Sequence, residues 1–305
     1  MKLFDLHCDT LYEALIKNKS LIKNDLHLSV QRGEHYHPWV QCFAVWIPDT
    51  VRGGEAMKLF DDARRKLQKE KGPLRLCCTP DDLRAVEEGN AWGAMLTVEG
   101  GAVLGGELSN LCHLHRCGVR MMTLTWNGQN EIGGGAGVKN NAGITAFGRE
   151  VVEKMEELSM VVDVSHASDR LFYDVAEIAR KPFCATHSNA RAVCAHQRNL
   201  TDEQFSIIKE RGGVVGLNFY PPFLREDNKG GVTDLLRHAE HFLSLGGEET
   251  LCLGSDFDGA YIPPEITGIE SMADLYEAFL KAGYQETLVN ALFFDNASRF
   301  FHEML

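Results

Sequence analysis

The chain has 305 residues, 44% of them hydrophobic, which is enough for the core of one large α/β barrel of about 250 residues. Its formal net charge of −12 would repel phosphate groups, so we expect no nucleic-acid partner. No apolar run approaches the roughly 20 residues that span a bilayer, so we expect no membrane partner.

The cysteines and the N-terminal residues both indicate a cytoplasmic protein. The nine cysteines are odd in number, and several of them, such as Cys42, Cys184 and Cys252, lie inside apolar stretches. This pattern is typical of reduced, packed thiols rather than of a disulfide framework. The first residues carry one lysine followed by acids and a histidine, which does not resemble a secretion signal.

Short β-type runs alternate with longer amphipathic stretches along the whole chain. The predicted strands are residues 3–8, 40–47, 93–98, 119–125, 160–164, 183–186, 213–219 and 251–254. The predicted helices are residues 55–71, 107–116, 144–158, 169–179, 201–211 and 233–245. This alternation predicts βαβ units around a parallel sheet, and a single domain over residues 1–305 with a (β/α)₈ TIM-type barrel.

A doubly wound open sheet is the alternative arrangement. Such a fold commonly places a GxGxxG phosphate-binding motif after its first strand, and no such motif follows residues 3–8. The glycine-rich segment "GGGAG" at 133–137 has a different spacing and follows a polar loop. The barrel is therefore favoured, with residues 133–137 as a flexible loop.

The first predicted strand ends in "HCD", with His7 and Asp9 two positions apart. Residues i and i+2 of a strand point to the same face, so these two side chains should converge. A buried histidine bonded to a neighbouring acid is one reading of the pair. A shared metal ion is the other.

Four further predicted strands end in residues of the same chemical types. They end in Glu99, His166, His187 and Asp256. In a barrel the C-terminal ends of the strands form one ring, and active sites lie on that ring. The combined pattern therefore predicts a metal site there.

The residue types suit a pair of divalent ions. Zinc binds imidazole nitrogen and carboxylate oxygen, and one bridging carboxylate can hold two ions close together. Two histidines on one side, a histidine and an aspartate on the other, and Glu99 between them meet this requirement. An additional acid is needed to take a proton from water, and Asp256 is the candidate.

The motifs "DLHCDT", "LTVEGG", "VVDVSHAS", "ATHSNARAVCAHQRN", "GLNFY" and "LGSDFDG" resemble those of the membrane dipeptidase (renal dipeptidase) family, over nearly the whole chain. The family consists of zinc peptidases on an amidohydrolase-like barrel. The resemblance implies two zinc ions per chain, one held by His7 and Asp9, the other by His166 and His187, with Glu99 bridging. It also implies that Asp256 handles the proton.

Three residues are candidates for substrate binding. The resemblance implies that Arg198 grips the free carboxylate of a dipeptide, a role that suits a guanidinium fork. Where animal members have a histidine in "TLTH", this chain has Trp126 in "TLTWN", and we expect its indole to influence substrate choice. Tyr220, at the end of a predicted strand, is a candidate substrate-facing phenol.

Other potential metal ligands are expected to be structural. His113 and His115 fall in a predicted helix, where positions two apart do not share a face, and we expect them at the surface. The pair Cys112 and Cys117 lacks the second half of a CxxC…CxxC zinc site, so these thiols are expected to be packing residues.

The expected function is hydrolysis of dipeptides with a free C-terminal carboxylate, including those with a D-residue at that position, by a soluble bacterial-type member of the family. A barrel hydrolase acting on another amide, an ester or a lactone is the alternative, because fold and metals do not determine the substrate. Manganese or cobalt could replace zinc at nitrogen and oxygen ligands. The resemblance also suggests a homodimer.

Overall fold

The structure, a computed structural model, describes residues 1–89 and 91–305. Within these residues the strands are β1 (Leu3–Cys8), β2 (Trp39–Trp46), β3 (Leu74–Leu76), β4 (Trp92–Glu99), β5 (Val119–Thr123), β6 (Val161–Asp163), β7 (Val215–Leu217) and β8 (Leu251–Leu253). All their pairings are parallel, and the main order is β6-β5-β4-β2-β1-β8-β7, with β3 beside β4.

Helices lie between the strands and after the last one. They are α1 (Thr10–Ile16), α2 (Val30–Gly33), α3 (Gly53–Glu70), α4 (Pro80–Glu88), α5 (Leu108–Arg116), α6 (Ala146–Glu157), α7 (Asp169–Ile178), α8 (Asp202–Glu210), α9 (Pro221–Leu224), α10 (Val232–Ser244), α11 (Met272–Lys281), α12 (Glu286–Asn290) and α13 (Asn296–Met304). Each helix predicted from the sequence is present, with small shifts at its ends. None of the helices in the described ranges has the length and apolarity of a membrane-spanning segment.

The fold confirms the predicted α/β barrel but corrects its sixth strand. Residues 183–186 form no regular strand, because only Cys184 and Ala185 make isolated bridges, to β6 and to β7 respectively. The next amide, that of Thr186, donates to the side chain of Asp163 at 3.0 Å instead of to a strand backbone. The side chain of Asp163 therefore replaces part of the backbone hydrogen-bond ladder here, and the two isolated bridges close the barrel between β6 and β7.

Two glycines permit this closure. A methyl group on Gly216 in β7, or on Gly254 just after β8, would overlap the backbone carbonyl of Thr186. Both positions lie at the junction where the two bridges replace a strand. The close approach of these backbones is therefore possible only without a side chain.

Helix α13, which was not predicted from the sequence, closes the end of the barrel where the strands begin. Phe4, near the start of β1, stacks on Phe301 with ring centroids 5.4 Å apart and an interplanar angle of 8°. Phe300 and Met304 belong to the same buried cluster. Because α13 covers the N-terminal end of β1, the opposite end of the barrel is left for the site.

Gly216→Ala should destabilise the protein, because the added methyl group meets a backbone oxygen that cannot rotate away. We expect a loss of about 1–3 kcal/mol, the usual range for overpacking. Gly54→Ala is the matched control, since Gly54 is exposed in α3 with no atom near its missing side chain. Urea unfolding measures both variants, and equal stabilities would contradict the steric explanation.

Candidate metal centre

The C-terminal ends of the strands bring the five predicted metal ligands together. They are His7, Asp9, Glu99, His166 and His187, and all five are buried. His7 lies in β1, Asp9 directly follows that strand, and Glu99 is the last residue of β4. The two other histidines follow β6 and the bridge at Ala185. The predicted convergence of these side chains is therefore present in the structure.

Glu99 lies between two groups of ligands. Its Oε2 is 3.8 Å from His7 Nε2, and that same nitrogen is 3.2 Å from Asp9 Oδ2. Its Oε1 is 2.9 Å from His166 Nε2 and 3.5 Å from His187 Nε2. The two oxygens of one carboxylate thus face different pairs of side chains, which is the arrangement that a bridging ligand requires.

Hydrogen bonds behind the imidazoles determine where their protons lie. The Nδ1 of His166 is 2.8 Å from the side-chain oxygen of Asn127, so it must carry the proton and donate it. The Nδ1 of His187 is 2.8 Å from the hydroxyl of Thr186, whose own proton goes to Asp163. Both Nε2 atoms therefore carry lone pairs directed into the site, as metal-binding histidines do.

These lone pairs converge without a proton between them. The two Nε2 atoms of His166 and His187 are 3.0 Å apart, and both face Glu99 Oε1. On the other side, Asp9 Oδ1 is buried and has no hydrogen-bond partner among the described residues. A proton on Glu99 or a metal ion among these atoms would relieve their repulsion. The residues therefore fit divalent metal ions, and the nitrogen and oxygen donors suit zinc.

The electrostatics of the site lead to the same conclusion. Burial and then the Asp9 carboxylate raise the pKa of Glu99 well above its usual value. Burial lowers the pKa of both His166 and His187 well below normal, which favours the neutral imidazole. Burial alone would lower the pKa of His7, but Glu99 and Asp9 raise it to about 10. The unneutralised carboxylates thus attract positive charge to the His7 side.

Two site residues have strained backbones. His166 has φ 66° and Asp256 has φ 60°, in the left-handed region that few non-glycine residues adopt. The carbonyl of His166 accepts a 2.7 Å hydrogen bond from the amide of Ala136, in the glycine-rich loop. This loop, expected to be flexible, is thus bonded to the site. Strain held in place by surrounding contacts is common at functional positions.

Asp163 lies beneath the metal ligands and supports the site. Its carboxylate accepts hydrogen bonds from the hydroxyls of Thr123 at 2.6 Å and Thr186 at 2.7 Å. It also accepts hydrogen bonds from the backbone amides of Ser165 at 2.9 Å and Thr186 at 3.0 Å. With its acceptor capacity used in this way, Asp163 holds the two loops that carry His166 and His187.

Asp256 lies at the edge of the centre and lines the adjoining cavity. Its Oδ1 is 3.9 Å from His7 Nε2, and its Oδ2 accepts a 3.1 Å hydrogen bond from the amide of Asn218. Burial raises the pKa of Asp256 to about 6. A carboxyl group with that pKa can exchange protons near neutral pH.

Arg198 is buried behind the centre rather than on the cavity surface. Its nearest polar contacts are long, at 3.4 Å to the hydroxyl of Ser188 and 3.4 Å to the carbonyl of His187. Its Nε has no partner, and no carboxylate lies within ion-pair distance among the described residues. The guanidinium lies 5.4 Å from the ring centre of Phe223, which does line the cavity.

Two groups of aromatic rings line a cavity of about 420 Å³ above the centre. In one group, Trp46 contacts Tyr12 and Trp126 edge-to-face, with centroids 5.1 and 4.9 Å apart. In the other, Tyr220 contacts Phe223 and Tyr261 in the same way, at 4.9 and 5.0 Å. Trp126 and Tyr220 were candidates from the sequence, and both face the cavity.

Several cavity residues were not predicted from the sequence. They are Tyr12, Trp46, Asn127, Phe223 and Tyr261. Trp46 could have been found, because it ends β2 directly beside Glu99 in the register of the sheet. The others lie in helices or loops, whose positions strand patterns do not predict.

A parallel α/β barrel whose strand ends carry converging imidazoles and carboxylates belongs to the class of metal-dependent hydrolases. The sequence pattern of the membrane dipeptidase family (peptidase family M19) matches residues 1–304. The chain therefore belongs to this family, as its motifs suggested.

Two curated relatives are similar to about three quarters of this chain. An uncharacterised protein from the pqqA 5′ region of Klebsiella pneumoniae is 34% identical over 235 residues, which cover 74% of this chain and 87% of that protein. An uncharacterised dipeptidase of Schizosaccharomyces pombe is 32% identical over 226 residues, covering 72% of this chain and 54% of that protein.

Solved structures share the fold over its whole length. A metallo peptidase from Rhodobacter sphaeroides, solved with a phosphinate mimic of the dipeptide L-Ala-D-Ala, is 28% identical with a TM-score of 0.93, covering 100% of this chain and 99% of that one. Dipeptidase AC, a metallo peptidase of family M19, is 29% identical with a TM-score of 0.93, covering 100% and 98% of the two chains.

Proposed function

We propose that this protein is a dipeptidase with two zinc ions per chain, which hydrolyses dipeptides that have a free C-terminal carboxylate. The convergence of unprotonated imidazole and carboxylate lone pairs around Glu99 carries the proposal. The family supports a peptidase, and the relative with a bound L-Ala-D-Ala mimic supports a dipeptide that includes a D-residue at its C-terminal position.

The proposed metal ligands divide at Glu99. His7 and Asp9 would hold one ion, His166 and His187 the other, and Glu99 would bind both through its separate oxygens. Divalent ions in such a site lower the pKa of water and polarise a carbonyl group, the two requirements of amide hydrolysis. Asn127 and Thr186 would keep the two imidazoles in the tautomer that binds metal.

Asp256 is the proposed general base. It would accept a proton from the attacking water and return it to the leaving amine, because one carboxylate can serve both steps in turn. The amide of Asn218 donates to its Oδ2, so Oδ1 is left to face the reacting groups. A pKa of about 6 leaves it mostly ionised at neutral pH and still able to release the proton.

Arg198 is the proposed anchor for the substrate carboxylate. It is a buried cation without an acidic partner among the described residues, and burial lowers its pKa to about 10, which reflects the cost of this isolation. A substrate carboxylate would remove that cost. Because the guanidinium lies behind Phe223, the proposal requires it to turn toward the cavity when substrate enters.

Trp126 and Tyr220 are proposed to contact the substrate side chains. An indole has one N–H donor and a large apolar surface, so it can limit side-chain size but cannot supply an imidazolium to a developing negative charge. Trp126 is held by its edge contact with Trp46, which fixes its position in the cavity. The metal ions would then carry the charge stabilisation that a histidine supports elsewhere in the family.

The cellular location is proposed from the thiols. All nine cysteines are free, as expected for a chain that works in the reducing cytoplasm.

Asp256→Asn should keep the metal ions and lose most of the activity. The amide cannot accept the proton, and asparagine tolerates the left-handed backbone at this position, so the fold should be retained. We expect kcat to fall by roughly 10²–10⁴. Elemental analysis of parent and variant should give at least two divalent ions per chain.

Asp258→Asn is the control for Asp256, because Asp258 has the same backbone conformation and its carboxylate is already bonded to Thr10 and the amide of His27. Its effect on kcat should be below tenfold. Loss of a metal ion in Asp256→Asn would make Asp256 a ligand. Fewer than two ions in the parent would contradict the binuclear site.

Arg198→Met should separate dipeptides from their C-terminal amides. For dipeptides the loss in kcat/KM should correspond to about 2–5 kcal/mol, since a desolvated carboxylate would lack its partner. The amides, poor substrates of the parent, should lose little. Arg191→Met is the control, because Arg191 lies in the same segment and pairs with Asp169 instead. Equal losses for both substrate types would contradict carboxylate recognition and favour another amide, an ester or a lactone as substrate.

Trp126→Ala should change the ranking of dipeptides in favour of bulkier side chains. If Trp126 only limits side-chain size, the best kcat should stay within about tenfold of the parent, which is about 1.4 kcal/mol. The measurement is kcat and KM over a panel of side chains, with L- and D-residues at the C-terminal position. A uniform fall in kcat with an unchanged ranking would show that Trp126 acts in the chemistry.

A further inference from the structure

A second group of metal-ligand side chains lies outside the barrel, between helices α3 and α5. Asp61 is in α3, His113 is in the last turn of α5, and Cys117 directly follows that helix. The Nε2 of His113 is 3.5 Å from Cys117 Sγ and 3.5 Å from Asp61 Oδ1. All three ligand atoms lie within 4.8 Å of one another.

Local geometry explains why these side chains meet. His113 and Cys117 are four positions apart, so they lie on the same side of one helical turn, whereas His115 does not. Asp61 approaches them from α3, far away in the sequence. Local spacing predicts only a surface histidine at His113 and a packing thiol at Cys117, because their third partner, Asp61, is distant in the sequence.

We propose that Asp61, His113 and Cys117 bind a zinc ion at a site separate from the centre at the strand ends. Carboxylate, imidazole and thiolate are the three side-chain donors that zinc uses, and three protein ligands leave one position for water. The thiolate selects zinc over magnesium, calcium or manganese. The side chains of His113 and Asp61 are 38% and 29% exposed, so an ion can enter from solvent.

The site is distinct from the proposed active centre in place and in chemistry. Cys117 lies just before β5 begins, and the N-terminal ends of the strands are opposite to the end that carries Glu99. The ligands at the active centre are nitrogen and oxygen atoms, with no sulfur. The proposal therefore does not depend on the proposed function.

Arg64 is the cation that competes for this site. Its Nε lies 3.9 Å from Asp61 Oδ1, too far for a hydrogen bond, and it has no hydrogen-bond partner among the described residues. Asp61 is therefore held only loosely by Arg64. A divalent ion would replace this contact with three ligand bonds and would link α3 to α5.

The ion should stabilise the folded chain. These helices are separated in sequence by β3, α4 and β4, so in the unfolded chain the three ligands are rarely close together. An ion that binds the folded form preferentially raises the midpoint of thermal unfolding. The expected rise in the unfolding midpoint requires all three ligands.

Cobalt(II) provides the test, because a thiolate ligand gives an intense sulfur-to-cobalt charge-transfer absorption that nitrogen and oxygen ligands do not. Metal-free protein is titrated with Co²⁺ in a non-thiol reductant. The parent should show the absorption, Zn²⁺ should displace it, and Cys117→Ser and His113→Gln should lose it together with one bound ion per chain. Zn²⁺ should raise the unfolding midpoint of the parent more than that of either variant.

Cys112→Ser and Cys78→Ser are the matched controls, and both should keep the absorption. Cys112 is on another side of α5, and Cys78 lines the small cavity beside Cys117. Absence of the absorption in the parent would overturn the proposal, as would its persistence in Cys117→Ser. Loss of the absorption in Cys78→Ser, with retention in Cys117→Ser, would show that Cys78 supplies the sulfur and would also overturn the proposal. Dipeptide hydrolysis, measured separately, tests only the active centre.

Discussion

Repulsion between lone pairs is the constraint on which the rest of the structure depends. Around Glu99, two imidazole nitrogens and several carboxylate oxygens are held close together, with their protons directed away from one another by Asn127 and Thr186. On one side His7, whose pKa is raised to about 10, can supply positive charge to Asp9 and Glu99. On the other side the neutral imidazoles of His166 and His187 face each other, and a bound cation would remove their repulsion. The surrounding fold must therefore hold these groups in place against their own repulsion.

A layer of polar side chains beneath the ligands provides that support. Asp163 accepts hydrogen bonds from both loops that carry the histidines, and Asp5 does the same for β8 by accepting the amide of Ser255 at 2.8 Å. These bonds replace part of the strand ladder, which is why the barrel is closed by two isolated bridges where the sequence predicts a regular strand. The barrel gives up regular pairing where the site needs exact placement of side chains.

The sequence predicts those parts of the site that depend on local patterns, and it does not predict those that depend on long-range packing. Strand periodicity and the residue types at strand ends located His7, Asp9, Glu99, His166, His187 and Asp256, because a barrel places all strand ends on one ring. The burial of Arg198 behind Phe223 and the meeting of Asp61 with His113 depend on how loops and helices pack across long sequence separations. Neither arrangement leaves a periodic trace in the sequence.

The pairing of the first and last strands of the barrel has a consequence for biosynthesis. Strand β1 has an early partner in β2, but its other partner is β8, and Phe4 packs on Phe301 in α13, so the first strand is fully covered only after residues 251–304 have been made. Until α13 has been made, the apolar segment around Phe4 lacks part of its native cover. Such long-range closure makes folding slow and exposes the nascent chain to aggregation. Emergence of β8 and α13, rather than of the early strands, is thus the step that allows the barrel to close.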